Sequence, residues 1–311
     1  MTWLSPLQWT ATVLVNASLA WMTGAFFARL WLESFAANWA DKALRQLDSS
    51  VITASLACLA GSLAALWLAA AAIGDTAVWD AGEAFITLLT STGYGHAGLY
   101  GIAILLLLGM AQLVYEKFYK RRLNDLLSGA LLLAFMITRV AVSHAAESGV
   151  VSLPAIVDCM HLLLTSAWFG LVTVSAWLVL PRMEFQRKSD RRESSSYLTS
   201  LSGAAAIALG GIILTGTYNA YLGLGTPYQL INTTYGLVLS GKLCLVLLAI
   251  ALGAFNRFIG FPAALSPIAR EKSLAQAMER LLTVLRVESL VLFGALAAAA
   301  VLASQAPPGL F

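Results

Sequence analysis

Three histidines, His96, His144 and His161, are the imidazoles of this 311-residue sequence. Asp158 stands three residues before His161, a spacing that puts carboxylate and ring on one face of a helix. Imidazole nitrogen binds copper, zinc, iron or nickel. A carboxylate beside it can ligate the same ion or hold the ring in orientation. Cys159 and Met160 share that turn and offer soft sulfur suited to Cu(I). At about 100° per residue they point away from the Asp158/His161 face. His144 lies in Ser143-His144-Ala145-Ala146, and His96 ends the run Thr92-Gly93-Tyr94-Gly95-His96. The residues leave two readings open. One is a metal site built from His144, His161, His96 and Asp158. In the other, His161 is a polar residue satisfied by Asp158, and His144 is an interfacial cap.

Haem is the competing cofactor, because a membrane haem takes paired axial ligands from facing helices. His144 and His161 could supply one pair. There is no CxxCH, and no histidine near the inner face for a second haem. Cys58, Cys159 and Cys244 are far apart in apolar runs, which points away from a disulfide framework or a thiolate metal site. Arg139, Lys242, Asp158 and Glu288 are charges within apolar segments, where each costs a few kcal/mol unless paired or hydrated. Arg139 and Asp158 lie at similar depth, so an ion pair between them is expected. Lys242 and Glu288 lie deeper, either on an ion path or as buried ties between helices. Asn16, Gln112, Thr215, Asn219 and Asn256 are in-span polar residues expected to hydrogen-bond between helices.

Elements able to carry these residues are dictated by solvent. Hydrophobic residues make up 59% of the chain and charged ones 11%, against roughly 25% charged in a soluble domain. Apolar runs long enough to cross hydrocarbon recur along the whole length. Inside lipid, every backbone polar group must pair internally, so spans are helices or closed barrels. Runs such as Val51 to Ile73 lack period-2 alternation, which selects helices. The expected fold is an all-α, polytopic membrane bundle forming one domain over 1–311. Its spans lie near 7–32, 51–73, 98–118, 124–144, 153–180, 196–220, 234–256 and 281–304. Asp80 to Gly95 reads as a short interfacial or half-inserted helix broken by glycines. Ser266 to Thr283 reads as an amphipathic segment on the membrane surface.

All but two of the nineteen Lys and Arg fall on one side of these eight spans. They cluster at Arg29, Lys42 and Arg45; at Lys117, Lys120, Arg121 and Arg122; at Arg182 to Arg192; and at Arg257 to Arg286. The positive-inside rule makes that side cytoplasmic. It puts all three histidines and both termini on the outer face, the periplasm of a bacterium. Met1 to Trp9 holds no Lys or Arg, so it reads as the start of a first span rather than a secretory signal.

Ser143-His144-Ala145, Asp158-x-x-His161-Leu162-Leu163 and Trp168-Phe169-Gly170 resemble the core of the copper resistance protein D (CopD/PcoD) family. The later series Gly216, Asn219, Tyr235-Gly236, Lys242, Asn256-Arg257 and Glu288 is similar to it as well. The resemblance extends over nearly the whole chain. It implies a multi-pass protein of a bacterial inner membrane that moves copper, as Cu(I) or Cu(II), from periplasm to cytoplasm in copper homeostasis and resistance. It implies His144 and His161 at the periplasmic end, and a separate periplasmic copper-binding partner of the CopC type. It adds nothing for His96, and supports Asp158 by pattern without making it a ligand. The expectation is of a transporter or channel, not an enzyme. No Walker loop, kinase element or DKTG sequence is present, and neither nucleotide nor nucleic acid is expected as a partner. A membrane redox protein and a copper-sensing scaffold that transports nothing are the alternatives.

Overall fold

The structure, a computed structural model, describes residues 4–115, 121–185, 187–265 and 271–309. Lys117, Lys120 and Arg270 of the basic clusters, and 266–270 of the expected surface segment, lie outside the described residues, as do the side chains of Arg121, Arg122 and Lys272.

The principal helices are α1 (Leu4–Leu32), α2 (Asn38–Ile73), α3 (Gly82–Ser91), α4 (Gly93–Tyr115), α5 (Arg121–Val140), α6 (Leu153–Val174), α7 (Lys188–Leu224), α8 (Thr234–Phe255) and α9 (Glu271–Ala303). Among the described residues, eight of them, all but α3, are long and apolar enough to cross a membrane. The chain is therefore a multi-pass membrane protein. Large apolar side chains such as Leu56, Leu126, Ile207, Leu214 and Leu290 remain on the outside of the bundle, as a lipid-solvated surface requires.

Helices α1 and α6 form the hub. Helix α1 packs along α2 and α6, α2 carries α4, α4 carries α5, α6 carries α7, and α8 lies along α9. The close approach of α1 and α6 depends on glycine. A Cβ on Gly24 would overlap the backbone of Gly170, and a Cβ on Gly170 would overlap the carbonyl of Ala20. Lipid tails give no hydrophobic drive between helices, so such backbone-to-backbone contact supplies the attraction. Trp39, Tyr197, Phe135, Leu19 and Met22 fill the space around the hub.

Several helices run beyond the expected hydrocarbon-spanning stretch. Helix α2 begins at Asn38 rather than near 51, and α7 at Lys188 rather than near 196. Glu193 of α7 accepts from the N–H groups of Ala36 and Ala37 at 3.1 and 3.0 Å, satisfying donors that the start of α2 leaves open. Helix α9 is continuous from Glu271, so the described part of the 266–283 segment extends the last span instead of lying apart on the surface. Leu274, Met278 and Leu281 are buried there. Arg29, grouped with the cytoplasmic cluster by sequence, is instead a buried residue of α1. It pairs with Asp48 and donates to Gln112 at 3.3 Å, and Gln112 in turn donates to Ser128 at 3.1 Å.

The short helix before α4 exists, but threonine shapes its break. The Thr92 hydroxyl accepts from Gly95 N–H at 2.9 Å and so caps α4. Glycine is needed at 95 because a Cβ there would overlap the Leu88 carbonyl. Helix α3 folds back on α2 through Leu66, Ala70 and Leu88. The first turns of α1 meet the residue just past α9, where the Trp9 indole donates to Ser304 Oγ at 2.8 Å.

Candidate functional site

Ser152 opens α6 with its hydroxyl accepting from Ala155 N–H, and Pro154 occupies the first turn, where a missing N–H costs nothing. This start sets Asp158 and His161 on the face that meets α7. Opposite them α7 presents Thr215 and Asn219, four residues apart and therefore on one stripe.

Each polar atom of this meeting has an assignable role. Asp158 Oδ1 accepts from Asn219 Nδ2 at 3.1 Å, and Oδ2 from Ser143 Oγ at 3.1 Å. His161 Nδ1 lies 2.9 Å from Thr215 Oγ1. The Thr215 hydroxyl donates its single hydrogen to the Gly211 carbonyl at 2.7 Å. With that hydrogen used, the ring must donate through Nδ1–H, which leaves the lone pair on Nε2 for a ligand. Gly216 keeps room for the ring, since a Cβ there would stand 3.1 Å from His161 Cε1. Lys242 of α8 lies within electrostatic reach of both Asp158 and His161. Asn219 Oδ1 is buried without a hydrogen-bond partner. The outer cluster is therefore Ser143, Asp158, His161, Thr215, Asn219 and Lys242, drawn from one loop and three helices.

The expected site residues divide. Asp158, His161 and Lys242 come together. His161 is held by Thr215 and not by Asp158, so the reading in which Asp158 satisfies the ring does not hold; the carboxylate takes Asn219 and Ser143 as its donors. His144 stands beyond the end of α5, on its own turn at His144–Ala146. Its Nδ1 meets Glu147 Oε1 at 2.7 Å, one residue from the Ser143 that anchors Asp158. It is half-exposed, a position at the rim. His96 Nε2 faces the Thr90 carbonyl at 3.3 Å, on α4, which packs on α2 and α5. Arg139 and Asp158 form no ion pair. Arg139 lies near Cys58 of α2 instead. Among the described residues no three His, Cys, Asp or Glu side chains are grouped as a ready-made metal shell.

Glu288 belongs to a separate inner cluster. It is 2% exposed and accepts from Asn256 Nδ2 at 3.4 Å, with the Trp168 indole N–H directed at the same carboxylate. Asn256 opens a π-helical turn, Asn256–Gly260, the kind of local widening that re-aims a side chain. Sequence reasoning gave Thr215, Asn219 and Asn256 as interhelical ties, and Asn219 and Asn256 also as part of the family resemblance. The four-residue spacing of Thr215 and Asn219 was the available signal for a second polar face.

Residues 195–302 match the family model described as Copper resistance protein D. Over 107 residues the chain is 30% identical to Copper resistance protein D of Pseudomonas syringae pv. tomato, covering 34% of this chain and 34% of that protein. The chain thus aligns with about a third of that relative's length. No solved structure matches. These similarities support the family reading made from the residues. The family-model match falls on α7, α8 and α9, and so includes Thr215, Gly216, Asn219, Lys242, Asn256 and Glu288 but not Asp158 or His161.

Proposed function

We propose that this chain carries copper across a bacterial inner membrane, from periplasm to cytoplasm, as part of copper homeostasis and resistance. Copper is the cargo and meets the protein at the outer cluster. His161 Nε2 is its anchoring donor, His144 at the rim is the entry ligand, and Asp158 with Lys242 fixes the local charge. His96 is proposed as a further outer contact for the ion. From there the ion moves inward past Lys242 toward Glu288. A soluble periplasmic copper protein of the CopC type is the proposed donor to the rim.

One observation carries this reading. The His161 ring is locked through Nδ1 on Thr215, with Nε2 left as an acceptor inside a cluster of polar residues contributed by three membrane helices. A ring fixed at one nitrogen and open at the other is how proteins present imidazole to a metal. A merely structural histidine would have both nitrogens satisfied. The similarity of α7 to α9 to Copper resistance protein D favours copper over the other imidazole-binding metals.

Uptake into sealed proteoliposomes tests it. Wild-type protein should accumulate copper, and the His144→Ala/His161→Ala protein should not, while both purify as folded monodisperse protein. Equal uptake by the double variant would refute the site. No uptake by wild type, with copper still bound, would instead favour a sensor that docks a partner.

A further inference from the structure

A cavity of about 180 Å³ lies in the inner half of the bundle. Its walls are Leu201, Ala205 and Leu209 of α7, and Ile250 and Ala254 of α8, and at its depth stand Glu288, Asn256 and Trp168. Helix α7 leans on α6, and α8 on α9, so the cavity occupies the gap between the two pairs. At roughly 30 Å³ per molecule of liquid water, it has room for a small hydrated ion.

The polar groups at its depth are unbalanced. Glu288 and Asn256 are each 2% exposed. Among the described residues no lysine or arginine pairs with Glu288, whose partners are two neutral N–H donors. Arg257 lines the same cavity but donates instead to the Ser202 carbonyl and hydroxyl, at 2.9 and 3.0 Å. Asn256 Oδ1 is buried with no partner. A carboxylate in such surroundings is costly without a countercharge. Gly253 preserves the space beside it, since a Cβ there would stand 3.2 Å from Glu288 Oε1.

The cavity is aligned with the outer cluster. Trp168 follows His161 by seven residues, two turns along the same face of α6. Leu209 precedes Thr215 on α7, and Gly253 follows Lys242 on α8. Between the two levels Leu164 packs on Gly211, and the Thr165 hydroxyl donates to the His161 carbonyl at 2.7 Å.

We propose that this cavity is a second, inner station for the transported cation, held with its water by the carboxylate of Glu288 and the carbonyl oxygen of Asn256. The inference rests on the transport reading above and names the next stop on its path. Its donors are oxygen alone, so the ion rests there hydrated and loosely held. That suits release toward the cytoplasm, as the imidazole at the outer level suits capture.

Two measurements on purified protein separate this proposal from the reading it rests on. Copper binding is measured by equilibrium dialysis, and copper uptake in proteoliposomes. Glu288→Gln should keep the tight copper binding of the outer cluster and lose only the weaker second equivalent, while uptake falls by about tenfold or more with loss of the anchoring charge. Ala205→Phe, which fills the cavity and leaves Glu288 in place, should do the same. His161→Ala should lose binding and uptake together. Wild-type uptake by Glu288→Gln or by Ala205→Phe would overturn the inner station and leave the outer site standing, whether or not an internal dye shows altered proton movement. Loss of the tight copper binding in Glu288→Gln would overturn it too, by showing one site where two are proposed.

Discussion

Replacing Thr215 by valine exchanges one oxygen for a methyl group and keeps the shape of the side chain. It removes the acceptor of the His161 Nδ1–H, 2.9 Å away, and the donor to the Gly211 carbonyl. The buried ring then has an N–H with no partner, a loss of about 1–3 kcal/mol. The ring can recover by turning or by moving its hydrogen to Nε2, and either motion withdraws the lone pair from the copper. Residues that orient a ligating imidazole typically contribute about 10–100-fold in metal affinity, or roughly 1.4–2.7 kcal/mol. Thr215→Val should therefore weaken copper binding by about that factor in a chelator-competition titration of the purified protein. Thr215→Ser, which restores the hydroxyl, should recover most of the loss. The coupling can be isolated in a cycle with His161→Ala, where the valine change should have almost no further effect. An unchanged affinity in Thr215→Val, or an equal loss in the His161→Ala background, would refute the claim that Thr215 acts through the ring.

Gly170→Ala should lower the melting temperature in detergent, because the added methyl meets the α1 backbone at Ala20 and overpacking of this kind costs about 1–3 kcal/mol; an unchanged melt would show that the helices can part freely. Asp158→Asn should destabilise the outer half of the bundle by a few kcal/mol, since Lys242 loses its countercharge in the membrane. The double variant Asp158→Asn/Lys242→Met should be less damaged than the sum of its parts, and strict additivity in thermal melts would show that the two charges do not interact.

The helices were legible in the sequence because lipid imposes the rule. An apolar run of some twenty residues with its charges at the ends can be satisfied only as a span. The ends were less legible, since hydropathy marks where lipid stops and not where hydrogen bonding stops. Helix α7 continues from 196 back to Lys188 through Ser, Arg and Asp, and α9 extends from 281 back to Glu271. For the site, spacing within one helix put Asp158 and His161 on one face, where each takes its own partner on α7. Spacing cannot give the direction in which a helix turns its face toward a neighbour. Depth alone paired Arg139 with Asp158, yet the two point to different helices, and the neutral donors Ser143 and Asn219 occupy the carboxylate instead. Glu288 and Asn256 stood out separately for the same reason. Their meeting depends on a π-helical turn that leaves no mark in the hydrophobic pattern.

X-ray absorption at the copper edge, on protein loaded with one equivalent of the ion, addresses the anchoring role of His161 most directly. The wild type should show nitrogen neighbours with the outer-shell scattering of imidazole, diminished in His161→Ala and unchanged in Glu288→Gln. An identical spectrum from wild type and His161→Ala would mean that copper sits elsewhere and that the ring tethered to Thr215 is only part of the helix packing.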